Sequence, residues 1–252
     1  MDLSLKKEGD FTFIEVGTGE TIILLHGLMG ALSNFTQTTE HLVSKGYKVI
    51  LPVLPIYDLP LLKTNAKHIS KFLHEFISFK GYTDFTLVGN SLGGHVGLIY
   101  ANKHADRVKR LVLTGSSGLY ENSMGGSFPR REDYNYIKTK TEDVFYDKSI
   151  VTKELVDEVY STLNSRVKVL KILAIAKSAI RHNMAKDLPN IKIPTYLIWG
   201  KNDTVTPPDV AEEFNALMPN STLDWIDECG HAAMMEQPEK FNHLLSEWLQ
   251  NN

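Results

Sequence analysis

Short apolar runs alternate with longer amphipathic segments along most of the chain. Strand side chains point alternately to two faces and helical side chains repeat every 3.6 residues, so these patterns distinguish strands from helices. The predicted strands are 11–16, 21–26, 47–53, 85–88, 108–114, 195–199 and 222–226, and helices are predicted at 66–79, 92–101 and 207–217. This alternation is typical of an α/β fold with a mostly parallel sheet. The Gly-Thr-Gly turn at 17–19 predicts a hairpin between the first two strands.

One long stretch, from residue 117 to residue 189, interrupts the alternation. It contains no convincing parallel strand, and its composition shifts to Lys, Glu, Asp and Tyr with helical periodicity at 153–163 and 165–180. A structureless loop of that length is implausible in a compact domain. We therefore predict a core formed by residues 1–116 and 190–252 and a helical insertion formed by residues 117–189.

Composition and charge narrow the class of protein. The 252 residues are 42% hydrophobic and 23% charged with a net charge of -3, which is typical of a globular protein and leaves no basic stripe for nucleic acid. The single Cys229 can form neither an internal disulfide nor a zinc cluster. Residues 1–10 lack the apolar stretch of a secretory signal, and no run approaches the ~18 apolar residues of a membrane span. These features predict a cytoplasmic protein without a nucleic-acid or membrane partner, and they leave the oligomeric state open.

A serine stands between two glycines at a predicted strand-to-helix junction. Residues 89–93 read Gly-Asn-Ser-Leu-Gly, directly after the apolar run 85–88. A serine on so sharp a turn needs small residues two positions before and after it, because strand and helix approach closely there, and Gly89 and Gly93 meet this demand. The turn would expose the Ser91 hydroxyl and place the Leu92 amide at a helix N-terminus, where it can face an anion.

Three other predicted strands end in residues that could act with this serine. The apolar run at 21–25 leads into the His-Gly-Leu-Met-Gly segment at 26–30, where Leu28 could present a second backbone amide. Asp203 and His231 follow the last two strands, and groups at the carboxyl ends of parallel strands meet at one edge of the sheet. A serine hydroxyl becomes a nucleophile only when an imidazole takes its proton, and the imidazole needs a carboxylate to orient it.

Together these motifs resemble the α/β-hydrolase superfamily over nearly the whole chain. They comprise the His-Gly loop, the serine turn, Trp-Gly-Lys-Asn-Asp at 199–203 and the Cys-Gly-His ending at 229–231. The resemblance implies a central sheet flanked by helices, with the insertion forming a helical cap over the active site. It also implies that Ser91 is the nucleophile, His231 the general base and Asp203 the residue that orients the imidazole, while Leu28 and Leu92 supply the oxyanion-hole amides.

Two of these assignments have competitors in the sequence. Asp227 and Asp224 also precede His231, but Asp203 matches the Gly-x-x-Asp loop of the family. His26 stands at the start of the His-Gly loop, where the resemblance implies that it braces the loop by hydrogen bonding and takes no chemical part.

Substrate contacts are predicted at the start of the insertion and beside the nucleophile. Leu119, Tyr120, Met124 and Phe128 are candidates for the walls of an acyl or aryl pocket, and equally for the core of the cap. Asn90, next to Ser91, is a further candidate contact.

The sequence favours a serine hydrolase that cleaves a small, largely uncharged carboxylic ester through an acyl-enzyme. A small-molecule substrate is the partner that this chemistry implies, and it needs neither a cofactor nor a metal. One alternative is a carbon-carbon bond hydrolase of dienoic keto-acids, since such enzymes often have asparagine before the nucleophile. Those enzymes also use a cap arginine, where this chain offers Val159, with Arg166 and Arg181 elsewhere. Another alternative is a slow-turnover small-molecule receptor of the same fold.

Overall fold

One sheet organises the molecule. The computed structural model describes residues 3–121 and 130–252, and within these ranges the sheet has eight strands. The strands are β1 Lys6–Glu8, β2 Phe11–Val16, β3 Thr21–Leu25, β4 Lys48–Pro52, β5 Phe85–Asn90, β6 Val108–Thr114, β7 Thr195–Gly200 and β8 Ser221–Ile226. They pair in the order β1-β2-β4-β3-β5-β6-β7-β8. β1 and β2 pair antiparallel, β2 pairs antiparallel with β4, and the remaining pairs are parallel.

The predicted hairpin between the first two long strands is wrong. β4 lies between β2 and β3 and pairs with both, while β2 forms its hairpin with β1. Gly17 has a φ of 78°, and a Cβ on it would lie 2.3 Å from the Tyr47 carbonyl oxygen. Gly19 has a φ of 103°, and a Cβ on it would lie 2.2 Å from the Gly46 carbonyl oxygen. These glycines therefore allow the connection to pass tightly under the loop before β4.

Helices connect the strands and cover the sheet. Asn65 begins the second helix by accepting a hydrogen bond from the His68 amide, and Gly81 ends it in the left-handed conformation. The helices are α1 Thr36–Ser44, α2 Ala66–Lys80, α3 Leu92–Lys103, α4 Tyr134–Glu142, α5 Lys153–Asn164, α6 Arg166–Arg181, α7 Pro208–Leu217, α8 Ala233–Glu236 and α9 Pro238–Asn251.

The hydrophobic core has two parts, one on each face of the sheet. Ile23 and Leu25 of β3 pack in one cluster, and Ile22 and Leu24 pack in the other, as the period of two requires. Burial on both faces explains why β3, β5 and β7 read as continuous apolar runs.

The helical insertion lies between β6 and β7. α4, α5 and α6 form a small core of their own that includes Ile137, Val159 and Ile172, and Leu28 and Met29 of the core pack against it. The insertion therefore covers the loop that follows β3. Among residues 3–121 and 130–252, none of the helices has the length and apolarity needed to cross a bilayer.

Candidate active site

Ser91 occupies a strained turn between β5 and α3. Its φ of 53° and ψ of -120° lie in a region that residues with a side chain rarely adopt. A Cβ on Gly89 would lie 2.6 Å from the backbone of Gly93, and a Cβ on Gly93 would lie 2.1 Å from the Leu25 carbonyl oxygen. The two glycines are therefore required by close packing, and they allow the serine to stand at the edge of the sheet.

Backbone amides surround Ser91 on two sides. Leu92 is the first residue of α3, and the first amides of a helix have no partner within it. On the other side, a Cβ on Gly27 would lie 3.4 Å from Cβ of Ser91, so the loop that carries Leu28 runs directly beside the serine. Leu28 and Leu92 both line one cavity with Ser91. Their amides are thus available to stabilise negative charge at this point.

His26 braces the loop that carries Leu28, in line with the sequence prediction. Its Nε2 accepts a hydrogen bond from the Leu54 amide at 3.1 Å, and its Nδ1 lies 3.0 Å from the Gly27 carbonyl oxygen, to which it can donate. Burial lowers the pKa of His26 and so favours the neutral ring that this pattern of donor and acceptor requires.

Asp203 and His231 form a buried hydrogen-bonded pair. The distance from His231 Nδ1 to Asp203 Oδ2 is 2.9 Å. The Asp203 carboxylate is held in place because its Oδ1 accepts from the amides of Val205 and Thr206 and its Oδ2 accepts from the Thr206 hydroxyl. This pair fixes the imidazole with Nδ1 as donor and leaves Nε2 to accept a proton.

Electrostatic surroundings favour the protonated form of His231. Burial by itself lowers the pKa of the imidazole, but the Asp203 charge and hydrogen bond, together with the charge of Glu121, outweigh burial and raise the pKa above its ordinary value of 6.5. An imidazole with a raised pKa holds a transferred proton more firmly, which suits a group that takes the proton of a serine hydroxyl.

The competing aspartates lie elsewhere. Asp227 is exposed and forms an ion pair with Lys201 at 2.7 Å, and Asp224 accepts a hydrogen bond from the Tyr196 hydroxyl at 2.8 Å. Of the three aspartates that the sequence offered, Asp203 is the one that contacts His231.

Asn90 links two parts of the site. Its side-chain amide donates to the Thr114 carbonyl at 3.0 Å and to the His231 carbonyl at 3.2 Å. Asn90 is buried and also lines the cavity. The side-chain nitrogen is thus committed to holding the His231 loop against β6, and the side-chain oxygen remains the group through which the predicted substrate contact could be made.

A single cavity brings Ser91 and His231 together under the insertion. α5 and α6 contribute eight residues to its described walls, all of them apolar, among them Val159, Ile172 and Ala176. Further apolar lining comes from Met29, in the loop after β3, and from Met235, in α8. Such a wall favours an apolar ligand group next to the nucleophile.

The described part of the predicted pocket wall lies outside this cavity. Leu119 is buried in the main core, Tyr120 has 55% of its surface exposed, and neither is among the described residues that line the cavity. Met124 and Phe128 lie outside the described residues. The described walls include helices α5 and α6, whose inward faces were not among the sequence predictions.

Charged groups are few in the described lining. Arg166 and Arg181 are exposed at the two ends of α6, and neither lines the cavity. Lys140 does, but its ammonium hydrogen-bonds Asp143 at 3.0 Å and its side chain is 48% exposed. The other ionisable lining residues are Glu121 and His231 itself.

Glu121 is a site residue that the sequence analysis missed. The Ser117 hydroxyl donates to its Oε2 at 2.6 Å, and both residues line the cavity. Both follow the end of β6 at Thr114, and the rule that groups beyond parallel strand ends converge could have identified them.

The chain is similar in sequence and in fold to known proteins. A family model described as the alpha/beta hydrolase family matches residues 22–244. The crystal structure of MGS-MChE2, an alpha/beta hydrolase enzyme from a sediment metagenome of the Mar Chica lagoon in Morocco, is 50% identical with a TM-score of 0.82 and covers 98% of each chain.

Curated relatives are more distant. The chain is 28% identical to the 2-hydroxy-6-oxononadienedioate/2-hydroxy-6-oxononatrienedioate hydrolase of Comamonas testosteroni, over 94% of this chain and 90% of that protein. It is 29% identical, with the same coverage, to the 2-hydroxy-6-oxo-6-phenylhexa-2,4-dienoate hydrolase of Burkholderia cepacia.

Proposed function

The chain belongs to the α/β-hydrolase family, and from that premise we propose that it is a serine hydrolase that cleaves a small carboxylic ester whose acyl chain packs against an apolar wall. The observation that carries this proposal is the apolar wall beside Ser91 and His231, in which the described residues include no arginine. A carboxylate buried there without a cationic partner would cost several kcal/mol. A neutral acyl group has no such cost.

The proposed reaction uses the arrangement around Ser91 in two steps. The Ser91 hydroxyl attacks the ester carbonyl while His231 Nε2 takes its proton, and the Asp203 carboxylate stabilises the imidazolium that forms. The amides of Leu28 and Leu92 would hold the developing oxyanion, where removing one donor typically costs roughly 3–4 kcal/mol. His231 then gives its proton to the leaving alcohol, and a water activated by the same imidazole hydrolyses the acyl-enzyme.

A second candidate is hydrolysis of a carbon-carbon bond in a dienoic keto-acid. It is supported by the curated relatives, which are hydrolases of such compounds, and by Asn90 beside the nucleophile. The described part of the lining offers the carboxylate of such a substrate one lysine, Lys140, whose ammonium is already paired with Asp143.

One experiment separates the candidates. The purified protein is assayed with p-nitrophenyl butyrate and with 2-hydroxy-6-oxo-6-phenylhexa-2,4-dienoate, and we expect saturable turnover of the ester and none of the keto-acid. Ser91→Ala should abolish both ester turnover and labelling by a fluorophosphonate, because no nucleophile remains. Ser33→Ala, which removes an exposed serine outside the cavity, is the matched control and should change neither.

Three other outcomes of these assays would change the proposal. Efficient keto-acid cleavage with negligible ester turnover would replace the ester proposal with the second candidate. Labelling of Ser91 without multiple turnover of either compound would favour a receptor of this fold. Undiminished labelling of Ser91→Ala would reject Ser91 as the nucleophile.

A further inference from the structure

A carboxylate lines the same cavity as the nucleophile. Glu121 lines the cavity, and its Oε2 accepts a hydrogen bond from the hydroxyl of Ser117 at 2.6 Å. Ser117 is buried, and its own amide donates to the Ser91 carbonyl at 3.1 Å. The carboxylate is therefore tied, through one residue, to the backbone of the serine.

This carboxylate has no cationic partner among the described residues. The ion pairs of the described ranges do not include Glu121, and the one lysine of the lining, Lys140, pairs with Asp143. The hydrogen bond from Ser117 satisfies one carboxylate oxygen. With no cation beside it among these residues, the negative potential of the carboxylate acts on whatever occupies the cavity.

The charge of Glu121 acts on His231. Glu121 is one of the groups whose negative charge raises the pKa of the imidazole, so its field extends to the reacting end of the cavity. A substrate group that lies between Glu121 and Ser91 lies in the same field.

We infer that Glu121 is a specificity-determining residue that pairs with a protonated amine on the acyl part of the substrate and disfavours substrates that carry a carboxylate there. This inference rests on the proposed serine-hydrolase function and names the substrate class of that site. It places an apolar chain against α5 and α6 and its ammonium against Glu121 and Ser117.

Alkylboronic acids test the inference without a choice of ester, because they form a tetrahedral adduct with an activated serine. Three probes of similar size differ in charge: butylboronic acid is neutral, 3-aminopropylboronic acid is cationic and 2-carboxyethylboronic acid is anionic. Their dissociation constants are measured by calorimetry and by protection of the protein from fluorophosphonate labelling.

We expect the wild type to bind the cationic probe at least about tenfold more tightly than the neutral one, and the anionic probe more weakly than either. Glu121→Gln should bring the ratio of cationic to neutral affinity close to one while butylboronic acid still binds. Glu121→Asp, which keeps the charge, should retain part of the preference. Glu132→Gln removes an exposed carboxylate of the insertion that does not line the cavity, and it should leave the ratio unchanged.

The outcomes distinguish this inference from the proposed function. Equal affinity of the wild type for all three probes, or a preference that persists in Glu121→Gln, would overturn the inference and leave the serine hydrolase intact. If the wild type formed no adduct with any probe and resisted fluorophosphonate, the proposed function would fail, and the inference would fail with it.

Discussion

The protonation state of His231 determines the pH range in which the proposed reaction can run. The imidazole must be neutral to take the Ser91 proton, and its pKa is raised above 6.5 by Asp203 and Glu121 against the opposite effect of burial. The rate constant kcat/KM should therefore fall as the pH falls through this raised pKa, so that the acidic limb lies above pH 6.5. A pH profile with p-nitrophenyl butyrate measures it. In Glu121→Gln one raising charge is lost, so the limb should move to lower pH, and a limb that moves upward would contradict this account.

The Asp203 carboxylate has a role that a matched pair of variants can isolate. Asp203→Asn keeps the shape of the side chain but cannot hold the imidazole with Nδ1 as donor, and we expect a loss of roughly 10⁴ in kcat. Asp227→Asn changes an exposed aspartate that pairs with Lys201, and activity should stay within about twofold of the wild type. Steady-state kinetics measure kcat of both variants relative to the wild type. The reverse ranking would assign the acid to Asp227.

Individual elements were predictable from the sequence where one strong local pattern decides them. The strand at 108–114 has the predicted bounds, because a short apolar run that is buried on both faces marks it. The helix at 153–163 extends by one residue in the structure, because burial of one face imposes a clear helical period. β1 was missed because all three of its residues are exposed and carry no apolar alternation. The hairpin prediction failed because a turn signal between two strands does not reveal that a third strand lies between them.

The candidate site also has a part that short motifs predict and a part that they do not. Ser91, Asp203 and His231 were identifiable because each follows a predicted strand in a short motif, and the structure brings Asp203 and His231 into contact and both Ser91 and His231 to one cavity. The cavity wall was not identifiable. Which face of α6 points inward depends on its packing over the loop at 28–29 and over Tyr57, and local sequence does not encode that long-range contact.

At the scale of the whole molecule, the insertion consists of two parts that are attached differently. Residues 143–147 are joined to the site loops: the Val144 carbonyl accepts from the His231 amide at 3.0 Å, and the Asp147 amide donates to Glu236 at 2.6 Å. Phe145 belongs to one of the two main core clusters. By contrast, α5 and α6 pack mainly over the cavity and in the small separate core. The first part therefore supports the position of His231 and adds Val144 and Phe145 to the cavity wall. The second part supplies eight apolar residues of the described lining.

Two replacements test this division. Exchanging residues 152–182 for a flexible Gly/Ser linker should leave fluorophosphonate labelling of Ser91 largely intact, because the contacts of Val144 and Asp147 survive, but it should broaden the preference for acyl chain length. Some thermal stability should be lost, since Met29 and Tyr57 lose the helices that cover them.

Exchanging residues 117–189 also removes the Val144 carbonyl that accepts from the His231 amide. The loss of one such hydrogen bond should lower the labelling rate at least about tenfold further. Labelling rates, thermal unfolding and a series of p-nitrophenyl esters provide the measurements. If the larger exchange labelled as fast as the smaller one, residues 143–147 would have no part in positioning His231.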